Sequence, residues 1–130
     1  MNILIIRTDK PEAEIGLYKD DEQLAYISYE AHRILAETVH RKIESMLSGV
    51  AMTWQSIEGI VCYKGPGSFT GLRIGLSMAN ALASSLSIPI IGSSGSDWIE
   101  DGISGLLKGE DEKLVLPEYG ADPHITIQKK

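Results

Sequence analysis

Four apolar residues in a row, Ile3 to Ile6, open the pattern of the chain. Two further apolar stretches, Ile15 to Tyr18 and Leu24 to Tyr29, are separated by the polar run Lys19 to Glu22. That spacing predicts three strands joined by hairpins, with Lys10-Pro11 in the first turn and Asp20-Asp21 in the second. From Ala31 to Leu47 the period lengthens. Leu35, Val39, Ile43 and Met46 recur three and four residues apart, which marks one face of a helix, and Ile34, Thr38 and Leu47 widen that face. Gly49 is placed to cap its end, and Thr53 or Ser56 begins a short turn. Ile57 to Tyr63 is apolar and β-branched and predicts a fourth strand. A long helix over Ser68 to Leu86 comes next. Then Ser87 to Gly92 reads as a strand entered through Pro89, a position where proline is tolerated. A helix between two such strands makes a βαβ unit with parallel pairing. The whole predicts an α/β protein with a mixed sheet of about five strands and helices packed on it. Past Gly92 the pattern weakens. Ser93 to Ser96 reads as a loop, Asp97 to Leu107 as a helix interrupted by Gly102 and Gly105, and Lys108 to Lys113 as a solvated charged loop. Leu114 to Pro117 and His124 to Gln128 read as short edge segments. No internal repeat is present.

Composition narrows the function classes. The chain has 130 residues, 43% hydrophobic and 23% charged, which suits one soluble domain. Its net charge is −6, and it has no basic cluster beyond Lys129-Lys130. A free-standing nucleic-acid binder draws most of its affinity from cations placed on phosphates, so any RNA in this biology is expected on another subunit. The single cysteine, Cys62, cannot form an internal disulfide and fits a reducing cytosol. The first apolar run has no basic residue before it and no cleavage-type tail, so it reads as a strand and not as a signal peptide. No apolar run reaches the roughly 18–20 residues that span a bilayer. A cytoplasmic location without membrane contact is expected.

The densest chemistry lies in YKGPGSFTGLRIG, residues 63–75. A Walker loop requires a lysine and a hydroxyl directly after its last glycine, and no lysine follows Gly71. A dinucleotide fingerprint requires G-x-G-x-x-G; Gly65 and Gly67 supply the first pair, but position 70 is threonine. A serine nucleophile turn requires G-x-S-x-G, whereas Ser68 directly follows Gly67. What remains is geometric. The glycines permit a tight bend, Pro66 stiffens it, and Ser68 or Thr70 can cap the helix behind it. N–H groups at that helix start can bind an anion. A structural elbow and a ligand loop therefore both stand as readings. The helix behind carries Gly71, Gly75, Ala79 and Ala83 at four-residue spacing, which lets another backbone come close, whether its own sheet or a partner helix.

Other chemistry-bearing residues read more plainly. His32 and His40 are eight apart, too far for two metal ligands on one helix turn, and His124 stands alone. No metal site is predicted. Cys62 reads as a small core side chain. Asp20, Asp21 and Glu22 form a solvated turn. Asp97, Glu100 and Asp101 make no catalytic pair in so weak a pattern. Arg73 is either a surface ion pair or a partner contact. Trp54 and Trp98 read as packing residues. No nucleophile–base constellation supports a peptidase, and no catalytic residue is predicted.

The stretch GPGSFTGLRIGLSMANALASSLSIPIIG, residues 65–92, closely resembles the hallmark segment of the TsaB (YeaZ) family, partners in forming threonylcarbamoyladenosine on tRNA. The opening ILIIRT, the helix segments at residues 34–38 and 43–47, and the strand at 57–61 resemble the same family. The resemblance covers residues 1–100, and the tail from Pro117 to Lys130 resembles the family's C-terminal end. It implies a single actin-like, ribonuclease-H-like domain over 1–100, with 101–130 as a loop and tail left from a second domain. It implies a non-catalytic scaffold or activator that binds a TsaD-like catalytic homologue through its first two helices, and pairs with itself when alone. tRNA contact would then be indirect. On these residues the partner face is expected at Leu35, Val39, Ile43, Met46, Gly71, Gly75, Ala79 and Arg73. ATP and a metal are expected only in the catalytic partner, with no cofactor in this chain. The first strand of actin-like proteins usually ends in an aspartate that helps hold metal-nucleotide; here Arg7 stands at that place, with Asp9 two residues on. An alternative is a small nucleotide-binding ATPase using the Gly65–Gly75 loop, with Gly67, Ser68, Thr70 and Arg7 as candidate anion-binding residues.

Overall fold

The computed structural model describes residues 1–31, 34–67 and 69–118. The predicted His124–Gln128 segment, His32 and Ser68 lie outside them. Five strands form one sheet: β1 (Asn2–Arg7), β2 (Glu12–Lys19), β3 (Glu22–Glu30), β4 (Gly59–Tyr63) and β5 (Ile90–Ser93). Their order is β3-β2-β1-β4-β5. The first three strands are an antiparallel meander, and β4 and β5 run parallel to β1. The central strand β1 is covered on both faces, which is why its sequence is an unbroken apolar run. Leu4 and Ile6 point to one side, Ile3 and Ile5 to the other, and all four are buried.

Two helices, α1 (Leu35–Gly49) and α2 (Phe69–Leu86), cover the first face. Leu35, Val39, Ile43 and Leu47 of α1 and Leu76, Ala79 and Ala83 of α2 share a core with Leu4, Ile6, Ile15, Leu17, Ile60 and Ile90. α3 (Trp98–Leu107) covers the second face, where Trp98, Ile103 and Leu106 pack with Ile3, Ile5, Val61 and Ile91. The result is a three-layer α/β/α domain with a mixed sheet of five strands, as the pattern predicts.

Four local readings are corrected. Gly49 is the last helical residue, not the cap. Val50 closes α1 through its N–H to the Leu47 carbonyl at 3.1 Å, and Ala51 takes the left-handed conformation with φ 59°. α3 is continuous through Gly102 and Gly105. A Cβ at 102 would lie 2.3 Å from Val61 Cγ1 and one at 105 would lie 2.6 Å from Ile91 Cδ1, so these glycines let the helix approach the sheet and do not break it. The Lys108–Lys113 loop is partly engaged and not merely solvated. Asp111 and Glu112 accept the N–H groups of Ile90 and Gly92 at 3.1 and 3.2 Å along the outer edge of β5. Beyond it, Val115 is buried and exchanges two 2.9 Å hydrogen bonds with the Asn80 amide. The expected Leu114–Pro117 edge segment forms no strand.

Candidate functional site

Two places follow from the motif at residues 63–75. The first is the bend itself, at the C-terminal ends of β1 and β4. Here three of the four glycines, Gly67, Gly71 and Gly75, face the end of β1. A Cβ at Gly71 would stand 2.1 Å from the Thr8 carbonyl oxygen, one at Gly75 2.0 Å from Thr8 Oγ1, and one at Gly67 2.5 Å from Asp9 Cβ. Thr8 is buried and donates its hydroxyl to the Gly71 carbonyl at 2.7 Å. The start of α2 is thus laid directly on the end of β1, and the side-chain-free positions make that contact possible.

Arg7 lies beside this junction. Its Nε donates to Asp9 Oδ1 at 2.7 Å and its Nη2 to Oδ2 at 3.2 Å, a two-point grip on one carboxylate. Its guanidinium carbon sits 3.8 Å from the centre of the Tyr63 ring. Burial by itself would lower the Arg7 pKa, but the hydrogen bond and charge of Asp9 outweigh it and raise it above the ordinary value. The Tyr63 hydroxyl donates to the Pro66 carbonyl at 3.0 Å, which ties the bend to the same cluster. The cation that was a candidate anion ligand therefore has an internal carboxylate partner. Gly67 belongs to this cluster. Thr70 is exposed in the groove described next, and Ser68 lies outside the described residues.

The second place is a groove of about 560 Å³ between α1 and α2. Ala36, Val39 and His40 line it from α1, and Thr70, Arg73, Ile74, Ser77 and Met78 from α2. It is mostly apolar, with Arg73 exposed on its wall. His40 stacks on Trp54 with ring centres 4.7 Å apart, and the Trp54 indole N–H reaches Glu44 at 3.5 Å. Of the residues expected to meet a partner, Val39 and Arg73 line this groove. Leu35, Ile43, Met46 and Ala79 are buried against the chain's own sheet, and Gly71 and Gly75 lie close against Thr8. The reason is physical: the stripe that makes a helix amphipathic is the stripe that fastens it to its own core. The open apolar surface lies beside that stripe. Its signal is the extra apolar width of α2, where Ile74 and Met78 flank Leu72, Leu76 and Ala79.

The remaining candidates have ordinary roles. Burial, with a smaller contribution from Glu112, pushes the Cys62 thiol up to about 12. Trp98 is buried edge-on to Tyr63 with ring centres 5.8 Å apart. Among the described residues, no group of three or more His, Cys, Asp or Glu side chains is placed to hold a metal, and no helix is long and apolar enough to cross a membrane.

Residues 28–99 match the family model described as TsaD: tRNA N6-adenosine threonylcarbamoyltransferase. The chain is 41% identical over 93 residues to the tRNA threonylcarbamoyladenosine biosynthesis protein TsaB of Bacillus subtilis, covering 69% of this chain and 39% of that protein. It is 27% identical over 120 residues to TsaB of Escherichia coli, covering 88% and 52%. The chain thus spans about half the length, or less, of these curated relatives. Among solved structures, YeaZ from Pseudomonas aeruginosa superposes with a TM-score of 0.66 at 22% identity, over 72% of this chain and 43% of that one. RuvC of T. thermophilus, in complex with a Holliday junction, gives 0.54 at 10% identity over 94% and 87%. These two likenesses establish the fold, that of actin-like and ribonuclease-H-like domains.

Proposed function

The chain belongs to the TsaB (YeaZ) family, and from that membership we propose that it is a non-catalytic subunit in the formation of threonylcarbamoyladenosine on tRNA. It acts by docking to a TsaD-like catalytic homologue. The observation that carries this reading is the open, mostly apolar groove between α1 and α2, with Arg73 on its wall. A groove between two helices takes a helix of a partner, whose apolar side chains enter it while polar contacts at the wall fix the register. Docking buries Ile74 and Met78, which the isolated chain leaves partly exposed. The Arg7–Asp9 pair also supports a scaffold over the nucleotide-binding alternative. A phosphate would have to take Arg7 from Asp9 and leave that buried carboxylate without its partner.

The test is co-purification with the TsaD-like homologue from the same source, followed by a tRNA-modification assay with and without this chain. Ile74→Asp combined with Met78→Glu should abolish co-purification while circular dichroism stays that of the parent. Retention of the partner by that folded double variant overturns the assignment of the groove. Phosphate release from ATP and magnesium by the chain alone overturns the non-catalytic role.

A further inference from the structure

On the opposite face of the sheet, α3 and the β2–β3 turn enclose a second groove of about 940 Å³. Its floor is apolar: Ile103 is buried, Ile99 partly so, and Leu107 is 50% exposed beside them. Its rim is acidic, with Asp21 from the turn and Asp97 and Glu100 from the start of α3, against one cation, Lys108, at the far end. Tyr18 closes the sheet side. Burial, and then the charge of Glu100, raise its pKa, so it remains a neutral hydroxyl. Most of the lining on α3 lies beyond residue 99, where the match to the family model ends.

The geometry points to this groove as a docking site for a basic amphipathic segment of another protein, separate from the α1–α2 groove. Charge complementarity selects the occupant. Three carboxylates around an apolar floor repel nucleic-acid phosphates and anionic membrane surfaces. They favour a helix that lays leucine-like side chains along Ile99, Ile103 and Leu107 and sets lysine or arginine against Asp21, Asp97 and Glu100. The site does not depend on the function proposed above, because it lies across the sheet from α1 and α2.

The experiment titrates the full chain with a labelled 18-residue helical peptide of leucine and lysine at amphipathic spacing. The comparators are a leucine–glutamate peptide and a serine–lysine peptide of the same pattern. Anisotropy gives affinity and backbone amide shifts give location. The leucine–lysine peptide should bind and move amides of residues 96–108, and the other two should bind at least about tenfold more weakly. Leu107→Asp should weaken binding by a similar factor. Asp21→Lys, which lies in the turn and leaves α3 untouched, should do the same. Equal binding by all three peptides overturns the proposal. So do shifts confined to α1 and α2, the absence of binding, or an affinity that Asp21→Lys leaves unchanged.

Discussion

Thr8 shows how one side chain decides what a glycine motif is for. Its Oγ1 occupies the space that a Cβ on Gly75 would need, at 2.0 Å, while its hydroxyl holds the Gly71 carbonyl at 2.7 Å. In an open helix, Gly→Ala would stabilise by roughly 1 kcal/mol. Here Thr8 is buried and hydrogen-bonded, so the clash should win, and Gly75→Ala should destabilise by about 1–3 kcal/mol in urea titration. Thr8→Ala by itself should cost about 1 kcal/mol through the lost hydrogen bond, yet it removes the obstructing atoms. The double variant should therefore be more stable than the sum of the two, with a coupling of about 1 kcal/mol or more. Additive losses would mean that Gly75 is required for another reason. Cys62 offers a second check at this scale. With its thiol pushed up to about 12 and its side chain buried, it should resist a disulfide-exchange reagent at pH 8 until the chain unfolds. Fast labelling of the native protein would contradict its place in the core.

At the scale of elements, the outer edge of β5 carries its own guard. Asp111 accepts the Ile90 N–H at 3.1 Å and the Lys113 N–H at 2.8 Å, and these bonds hold its carboxyl below the ordinary value of 3.8. A group whose pKa falls on folding contributes stability that is complete above its unfolded value and is lost as pH falls through the folded one. Asp111→Asn should therefore flatten the dependence of melting temperature on pH below about 4 and leave the trend from 5 to 8 unchanged. An unchanged acid limb would show that the edge is held by something else. None of this was legible in a charged hexapeptide. The strands were, because period two and period 3.6 are properties of the sequence itself, and the apolar run of β1 already implied a strand covered on both faces. The glycines of α3 misled because sequence shows the absence of a side chain but not what approaches it. The groove between α1 and α2 was half legible for a related reason. The apolar stripe on α1 identified the helix, but the same residues are consumed by the sheet. The groove is lined by Val39 of that stripe together with its neighbours Ala36, His40, Ile74 and Met78.

For the whole molecule, the balance of 18 acidic against 12 basic residues sets what it can do alone. Each phosphate contacted by a cation contributes a salt-dependent increment of binding, with a slope of log K against log salt of about 0.7–0.9 per contact. A protein with net charge −6 is repelled by RNA at long range, and its acidic α3 groove strengthens that on one face. The isolated chain should therefore fail to retard tRNA in a gel at about 150 mM salt, where the Debye length is still about 8 Å. The sharper measurement uses the proposed complex with the TsaD-like homologue. If every phosphate contact belongs to the partner, replacing Arg41, exposed on α1, and Lys64, half-buried just after β4, with glutamine should leave the salt slope where it was. A slope smaller by close to one unit per cation removed would place this chain directly on the RNA. The subunit would then help to hold the substrate, in addition to docking to the catalytic homologue.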